Sequence, residues 1–193
     1  PLLDESHVDG KALETLILEE YRRAGLTRET VDTGAVIVTG ESARRRNAPG
    51  VVRALSGQAG DFVVAAAGPD LESELAARGS GAVAYSAETG KTVLHMDIGG
   101  GTANLCLIRG GEIAATGCLN VGGRLLKLDK LGSVTYVSPV LGGLWGLPPG
   151  SRPSQADIDA LCARLAQALE AAAGLTQADA LLRQLTTEGT RPL

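Results

Sequence analysis

Three consecutive glycines, Gly99 to Gly101, limit the fold of this chain more strongly than any other feature, because short apolar runs stand on both sides of them. Two further glycines, Gly110 and Gly111, end the second run and begin a third. The three runs cover residues 93–98, 102–108 and 113–120. Short apolar runs joined by glycine turns are typical of antiparallel strands. We therefore expect a three-stranded antiparallel meander here.

The first glycine turn also carries chemistry. Without Cβ atoms, consecutive backbone N–H groups can turn inward and form a concavity that binds anions. Thr102 follows the glycines and would add a hydroxyl donor to a terminal phosphate. Asp97 precedes them at a strand end and would hold a water molecule of hydrated Mg²⁺, since magnesium keeps several waters in proteins. The alternative is a glycine-rich hairpin with a structural aspartate.

Strand-like and helix-like segments alternate in the first half of the chain. The predicted elements are a helix from about Lys11 to Gly25, a strand at 35–39, a helix near 51–55, a strand at 62–67, and a helix that begins after Gly68, carries Leu71 and Leu75, and ends at 79–81. This alternation is typical of an α/β sheet. The predicted fold class is therefore α/β.

Beyond the meander, the sequence predicts a loop and then a long helix. Residues 138–153 are rich in proline and glycine, which favours a loop. Ser154 and Asp157 resemble a capping box, in which the two residues satisfy each other's backbone amides. Apolar residues at helical spacing follow as far as Gly174, which predicts a helix over this stretch.

The two halves of the chain differ in charge. Residues 1–90 hold 9 Lys/Arg and 14 Asp/Glu, whereas residues 91–193 hold 9 and 8. The polar stretch 86–91 lies at the join and is interpreted as a crossing between two lobes. We expect one domain at 1–90 and a second at 91–193.

Composition excludes several classes of function. A net charge of −4 and an aromatic content of 3% argue against nucleic-acid binding, which needs basic surfaces or stacking platforms. No run of 18 apolar residues is present, so no membrane span is predicted. The three cysteines show no C-x-x-C spacing and are expected to be reduced thiols. The chain begins at Pro1, and we expect it to be incomplete at both ends.

The motif Asp97-Ile98-Gly99-Gly100-Gly101-Thr102 resembles the second phosphate loop of the actin, sugar-kinase and heat-shock-chaperone ATPase superfold, which has a ribonuclease H-like core. Longer matches are more specific, and together they resemble the ethanolamine ammonia-lyase reactivating factor (EutA) family from about Leu13 to Val137. The matching segments are residues 39–43, 46–48, 60–65, 67–69, 71–73, 97–104 and 118–126.

The resemblance implies an activity and a partner. Reactivating factors of this kind use ATP and Mg²⁺ to release damaged cobalamin from ethanolamine ammonia-lyase, an adenosylcobalamin-dependent enzyme, so that intact coenzyme can replace it. The lyase would be the partner and would bind the cobalamin, while this chain would act as a chaperone. A cytoplasmic location is implied. Association with a bacterial microcompartment and an oligomeric state are left open.

The resemblance also implies a set of site residues. Asp97 would organise the metal through water, and Asn104 stands where many members of the superfold have a second acid. The residues expected to contact the nucleotide are Gly99, Gly100, Gly101, Thr102, Asn104, Gly122 and Gly123. Glu41 and Glu72 are candidates for the acid that positions the hydrolytic water, and for both the alternative is a helix cap or a solvated charge.

Three departures from the superfold weaken the prediction of catalysis. The first phosphate loop is not found before Thr39, and the later adenosine motif is not found either. In the chaperone ATPases a glutamate precedes the proline that corresponds to Pro69, whereas Gly68 stands here. We therefore expect this chain alone to hydrolyse ATP poorly or not at all.

Two other functions fit the same motif. One is a small-molecule kinase of the same superfold, although the sequence offers no polar cluster for a substrate pocket. The other is a non-enzymatic actin-like protein that binds nucleotide as a filament subunit or scaffold. The phosphate-loop motif alone does not separate these functions, because one fold hosts many of them.

Overall fold

The structure, a computed structural model, describes residues 7–38, 47, 50, 61–66 and 68–187. The chain divides into two compact units, one within Pro1–Gly68 and one within Pro69–Leu193. The helix predicted near 51–55 lies outside the described residues.

The first unit contains helix α1 (Gly10–Arg23), a 3₁₀ turn (Arg28–Thr30) and strands β1 (Thr33–Val38) and β2 (Asp61–Ala66). Asp9 caps α1, because its carboxylate accepts from the Ala12 amide at 2.9 Å. The two strands pair in parallel. The predicted helix and both predicted strands are confirmed, and parallel pairing is what an α/β arrangement requires.

The second unit is built on an antiparallel sheet of strands β3 (Val93–Ile98), β4 (Ala103–Arg109) and β5 (Glu112–Leu119), in that order. The predicted meander is confirmed. Because side chains alternate along a strand, β4 directs Ala103 and Leu105 into one apolar cluster and Cys106 and Ile108 into another. The sheet is therefore covered by helices on both faces.

Helices α2 (Pro69–Gly79) and α3 (Ala82–Thr89) pack on the face that carries Cys106 and Ile108. The buried residues of α2 are Ser73 and Ala77, and the Ser73 hydroxyl lies 2.9 Å from the Pro69 carbonyl oxygen and 3.3 Å from the Gly117 carbonyl oxygen of the sheet. Leu71 and Leu75 are instead 44% and 39% exposed. Small residues thus bring α2 close to the sheet, while its leucines point away from it.

Helix α3 includes most of the stretch 86–91, which the sequence suggests as a crossing between lobes. The stretch is helical to Thr89, and Gly90 ends the helix with a φ of 69°. The buried Ser86 hydroxyl donates to the Lys91 carbonyl at 2.7 Å and accepts from the Gly111 amide at 3.2 Å. The stretch therefore packs against the β4–β5 turn of its own unit.

The boundary between the two compact units falls between Gly68 and Pro69, earlier in the chain than the domain boundary expected after residue 90. The helices between these two points, α2 and α3, pack on the sheet that follows them. The assignment of 1–90 and 91–193 to two lobes stays a prediction.

Helices α4 (Gln155–Ala172) and α5 (Ala180–Leu185) cover the opposite face of the sheet. The capping box at the start of α4 is confirmed, with the Asp157 amide donating to the Ser154 hydroxyl and the Ser154 amide donating to the Asp157 carboxylate. Hydrogen bonds from the Ser154 hydroxyl and amide lower the pKa of Asp157 below its ordinary value. Helix α5 was not anticipated, yet three of its leucines are buried in the core: Leu181, Leu182 and Leu185.

A second antiparallel pair, β6 (Leu126–Leu128) and β7 (Val134–Val137), follows the sheet. The predicted loop at 138–153 begins with a 3₁₀ segment, Pro139–Leu144, interrupted at Gly142. Leu141 and Trp145 from this stretch are buried against Leu161 of α4. The loop is therefore anchored to the core. No helix among the described residues is long and apolar enough to cross a membrane.

Candidate functional site

The glycine turn between β3 and β4 is a tight hairpin. Ile98 and Ala103 are the last residues paired by the ladder, and the Gly99 amide closes the turn by donating to the Thr102 carbonyl at 2.8 Å. Gly100 and Gly101 form the two-residue connection. None of the three glycines adopts a positive φ. Glycine is therefore not required at this turn for access to left-handed backbone.

A second glycine segment lies against this hairpin. The Gly123 amide donates to the Gly99 carbonyl at 3.0 Å, and the Arg124 amide donates to the Gly100 carbonyl at 2.7 Å. A Cβ on Gly122 would lie 2.6 Å from the Gly100 carbonyl carbon and oxygen, and 2.7 Å from the Gly101 nitrogen. Only glycine fits at position 122 without moving the hairpin backbone. The structure thus brings together the two segments that the sequence assigned to one site.

The hairpin leaves amide donors available. Within the described part of the chain, the amides of Gly100, Gly101 and Thr102 donate to no protein atom, whereas the Gly99 amide is used inside the turn. A Cβ on Gly101 would meet no atom within 4 Å, so space is open beside this corner. Unpaired adjacent amides next to open space are the elements of an anion-binding corner.

Asp97 and Asn104 face each other across β3 and β4. The Asp97 side chain is exposed and makes no hydrogen bond to a described residue. Asn104 is only 3% exposed, and its Oδ1 atom has no hydrogen-bond partner among the described residues. A buried amide oxygen without a partner is uncommon and marks a polar place beside Asp97 that the described protein groups do not satisfy.

The donor set around Asp97 suits a hydrated magnesium ion rather than a protein-enclosed one. No group of three or more His, Cys, Asp or Glu side chains among the described residues could hold a metal directly. One exposed carboxylate at a strand end is compatible with Mg²⁺ bound largely through water, as the sequence predicts. The residues present therefore fit Mg²⁺ held through the water shell at Asp97.

The structure describes only one of the two candidate acids for hydrolysis. Glu41 lies outside the described residues. Glu72 lies in the first turn of α2, is half-buried, and makes no hydrogen bond to a described residue. Helix α2 covers the sheet face that also carries Asp97 and Asn104. The role of Glu72 stays a prediction, as do the roles of the glycines, Thr102 and Asn104.

Arg124 is the residue at this site that sequence reasoning missed. Its side chain lies over the hairpin, so that a Cβ on Gly100 would be 3.2 Å from the Arg124 Cδ atom. The sequence feature that could have identified Arg124 is its position directly after Gly122 and Gly123, in the segment expected near a phosphate. A permanently charged donor beside unpaired amides strengthens the electrostatic attraction for an anion.

The family model described as "Ethanolamine utilisation protein EutA" matches residues 1–192. The chain belongs to the EutA family. The family resemblance stated from the sequence motifs is therefore confirmed.

Two curated relatives from the EutA family match the same share of the chain. "Ethanolamine ammonia-lyase reactivase EutA" of Escherichia coli (strain K12) is 57% identical over 124 residues, which is 64% of this chain and 27% of the relative. The protein of the same name from Salmonella typhimurium is 54% identical over the same length and shares of each chain. The chain thus matches about a quarter of the length of these EutA relatives.

Among solved structures, the chain resembles an Aquifex aeolicus member of the Ppx/GppA protein family. The match has a TM-score of 0.48 and 14% identity, and it covers 91% of this chain and 49% of the other. The α/β class predicted from the sequence is confirmed by the helices and strands of the EutA-family chain itself.

Proposed function

We propose that this chain is part of an ATP-dependent reactivating factor for ethanolamine ammonia-lyase, built on an actin-like ATPase fold. Support comes from the two curated relatives, whose names describe a reactivase of that lyase and whose identity to this chain exceeds half of the aligned residues. Because the chain matches only part of their length, the activity belongs to the full-length protein.

One observation carries the proposal: the two glycine segments converge on a single corner. Gly122 contacts the Gly100–Gly101 peptide, and the amides of Gly100, Gly101 and Thr102 are left without protein acceptors among the described residues. A corner of this kind suits the phosphate tail of a nucleotide. The alternative is a purely structural hairpin, in which the same amides bond only to water.

Each residue of the corner has a proposed task. The Gly100 and Gly101 amides bind phosphate oxygens, and the Thr102 hydroxyl donates to a terminal phosphate. Asp97 would hold a water of the magnesium shell, and Asn104 lies opposite it on the neighbouring strand. Bound Mg²⁺ supplies neutralisation of the phosphate charge. Glu72 or Glu41 orients the hydrolytic water.

ATP binding and hydrolysis would then switch the two lobes of the protein between two arrangements. The change in arrangement acts on the lyase, which releases damaged cobalamin and takes up intact coenzyme. Cobalamin is bound by the partner enzyme. The proposed location is the cytoplasm, with microcompartment association and oligomeric state left to experiment.

The decisive experiment mixes the full-length protein with inactivated lyase, ATP, Mg²⁺ and intact coenzyme, and follows the recovery of lyase activity over time. Recovery should require ATP and stop when ATP is omitted. Recovery that proceeds equally without nucleotide contradicts the proposal. Phosphorylation of a metabolite would instead favour the kinase, and nucleotide-dependent light scattering without recovery would favour the filament or scaffold.

A further inference from the structure

We propose that Arg124 is a phosphate-binding residue of this site, with its guanidinium donating to the phosphate chain of the bound nucleotide. This inference rests on the proposed function, since it presupposes that a nucleotide occupies the glycine corner. It adds a cation, supplied by the segment after β5, to a site otherwise made of amides, a hydroxyl and a carboxylate.

The backbone of Arg124 is held firmly in place. Its amide donates to the Gly100 carbonyl at 2.7 Å, and the preceding amide, of Gly123, donates to Gly99. Val121 and Leu125, on either side of the segment, are buried in the core. Two buried anchors and two hydrogen bonds fix the position from which the Arg124 side chain starts.

The side chain then runs along the hairpin. A Cβ on Gly100 would lie 3.2 Å from Cδ, 3.6 Å from Cγ and 3.6 Å from Nε of Arg124. Any residue larger than glycine at position 100 would therefore press on the arginine stem. Gly100 leaves room for the Arg124 stem, and a larger residue there would require that exposed side chain to shift by a few tenths of an ångström.

The charge of Arg124 has no structural use among the described residues. The residue is exposed, and its guanidinium makes no hydrogen bond or ion pair within the described part of the chain. A guanidinium cannot lose its proton near neutral pH and presents five donors, which suits phosphate oxygens. Its place beside unpaired amides makes an anion the natural acceptor.

The competing explanation is that the stem of Arg124 only covers the hairpin, with the charge left in water. Two variants of the full-length protein separate these explanations. Arg124→Met keeps an apolar stem and removes the charge, whereas Arg124→Lys keeps a charge and removes the planar fork. Arg109→Met is the matched control, because Arg109 is an exposed arginine at the opposite end of β4.

Affinity for Mg·ATP is measured by calorimetry at a temperature at which circular dichroism shows every variant folded. Arg124→Met should weaken binding roughly 10- to 100-fold, because a hydrogen bond to a charged group is lost, and Arg124→Lys should fall in between. Arg109→Met should bind like the wild type.

The outcomes distinguish the two proposals. Wild-type affinity in the folded Arg124→Met variant overturns the role of Arg124 and leaves the proposed function standing. A wild-type protein that does not bind Mg·ATP overturns the proposed function. Equal weakening in Arg124→Met and Arg109→Met shows a general effect of net charge and also overturns the specific role.

Discussion

Gly122 lies directly against the peptide between Gly100 and Gly101, so close that a Cβ at position 122 would be 2.6 Å from the Gly100 carbonyl oxygen. The two residues are far apart in sequence but form one contact at the end of the sheet. This contact joins the β3–β4 hairpin to the segment that follows β5, and it brings every glycine of the candidate site to one corner.

Gly122→Ala should therefore distort the corner. The added methyl group can be accommodated only by moving backbone, and overpacking of this kind costs about 1–3 kcal/mol. We expect a lower free energy of unfolding in urea and weaker ATP binding. Gly123→Ala is the matched control for stability alone, because a Cβ there would meet no atom within 4 Å and its φ is not positive. Equal stability of the two variants would contradict the described contact.

Thr102→Ala tests the hydroxyl proposed to bind phosphate. We expect the free energy of ATP binding to become less favourable by about 1.5–3 kcal/mol, since a hydrogen bond to a charged oxygen is removed. Calorimetric titration of the full-length protein measures the loss. Thr135→Ala, on the separate β6–β7 pair, should bind ATP normally. Unchanged affinity in Thr102→Ala would remove that residue from the site.

Ser86→Ala tests the attachment of α3 to the sheet. The buried hydroxyl bonds the Lys91 carbonyl and the Gly111 amide, and its removal leaves both groups without this partner. The expected loss in the free energy of unfolding is about 1–3 kcal/mol. Ser80→Ala, in which an exposed serine is changed, should cost much less. A Ser86 variant as stable as the wild type would show that α3 does not depend on this bond.

Ser154→Ala should destabilise helix α4, because the amide at Asp157 loses its cap. The cost is on the order of 1 kcal/mol at neutral pH. The Ser154 bonds lower the pKa of Asp157 from its ordinary value of 3.8. The carboxylate's contribution is thus fully present above pH 3.8 and is lost as pH falls through the lower folded-state value.

Urea unfolding of the wild type and Ser154→Ala at a series of pH values measures that dependence. The difference in free energy of unfolding between them should be constant well above pH 3.8 and shrink below it. Ser154→Thr, which can still cap, should follow the wild type. A difference that grows as the solution becomes more acidic would contradict the assigned direction of the pKa shift.

The cysteines should differ in reactivity. None of the three is in a disulfide; Cys162 is exposed, and Cys106 and Cys118 are buried. Burial raises the pKa of the Cys106 thiol, and nearby Glu74 raises it further, so little thiolate forms near neutral pH. An alkylating reagent should modify Cys162 first, as read by peptide mass mapping, and the other two only after unfolding. Rapid native labelling of Cys106 would contradict its described burial.

The elements that could be predicted from sequence are those with local signals. The apolar runs around Gly99–Gly101 and Gly110–Gly111 predicted the meander, and Ser154 with Asp157 predicted the start of α4. The sequence did not predict helix α3, because the polar end of this helix, near Ser86, resembles a linker. Only the structure shows that Gly111 packs against it. Helix α5 also had a local signal, Asp179 as its cap, which was not used.

The candidate site also combines features that the sequence predicts with features that only the structure shows. The sequence by itself determined the turn and the family and predicted an anion-binding corner, because the motifs concerned each span only a few residues. Only the tertiary structure decided why Gly122 is small, that Asn104 is buried with an unpartnered oxygen, and that Arg124 lies over Gly100. These facts depend on which backbones meet after the sheet has folded, and no local pattern encodes a contact between segments twenty residues apart.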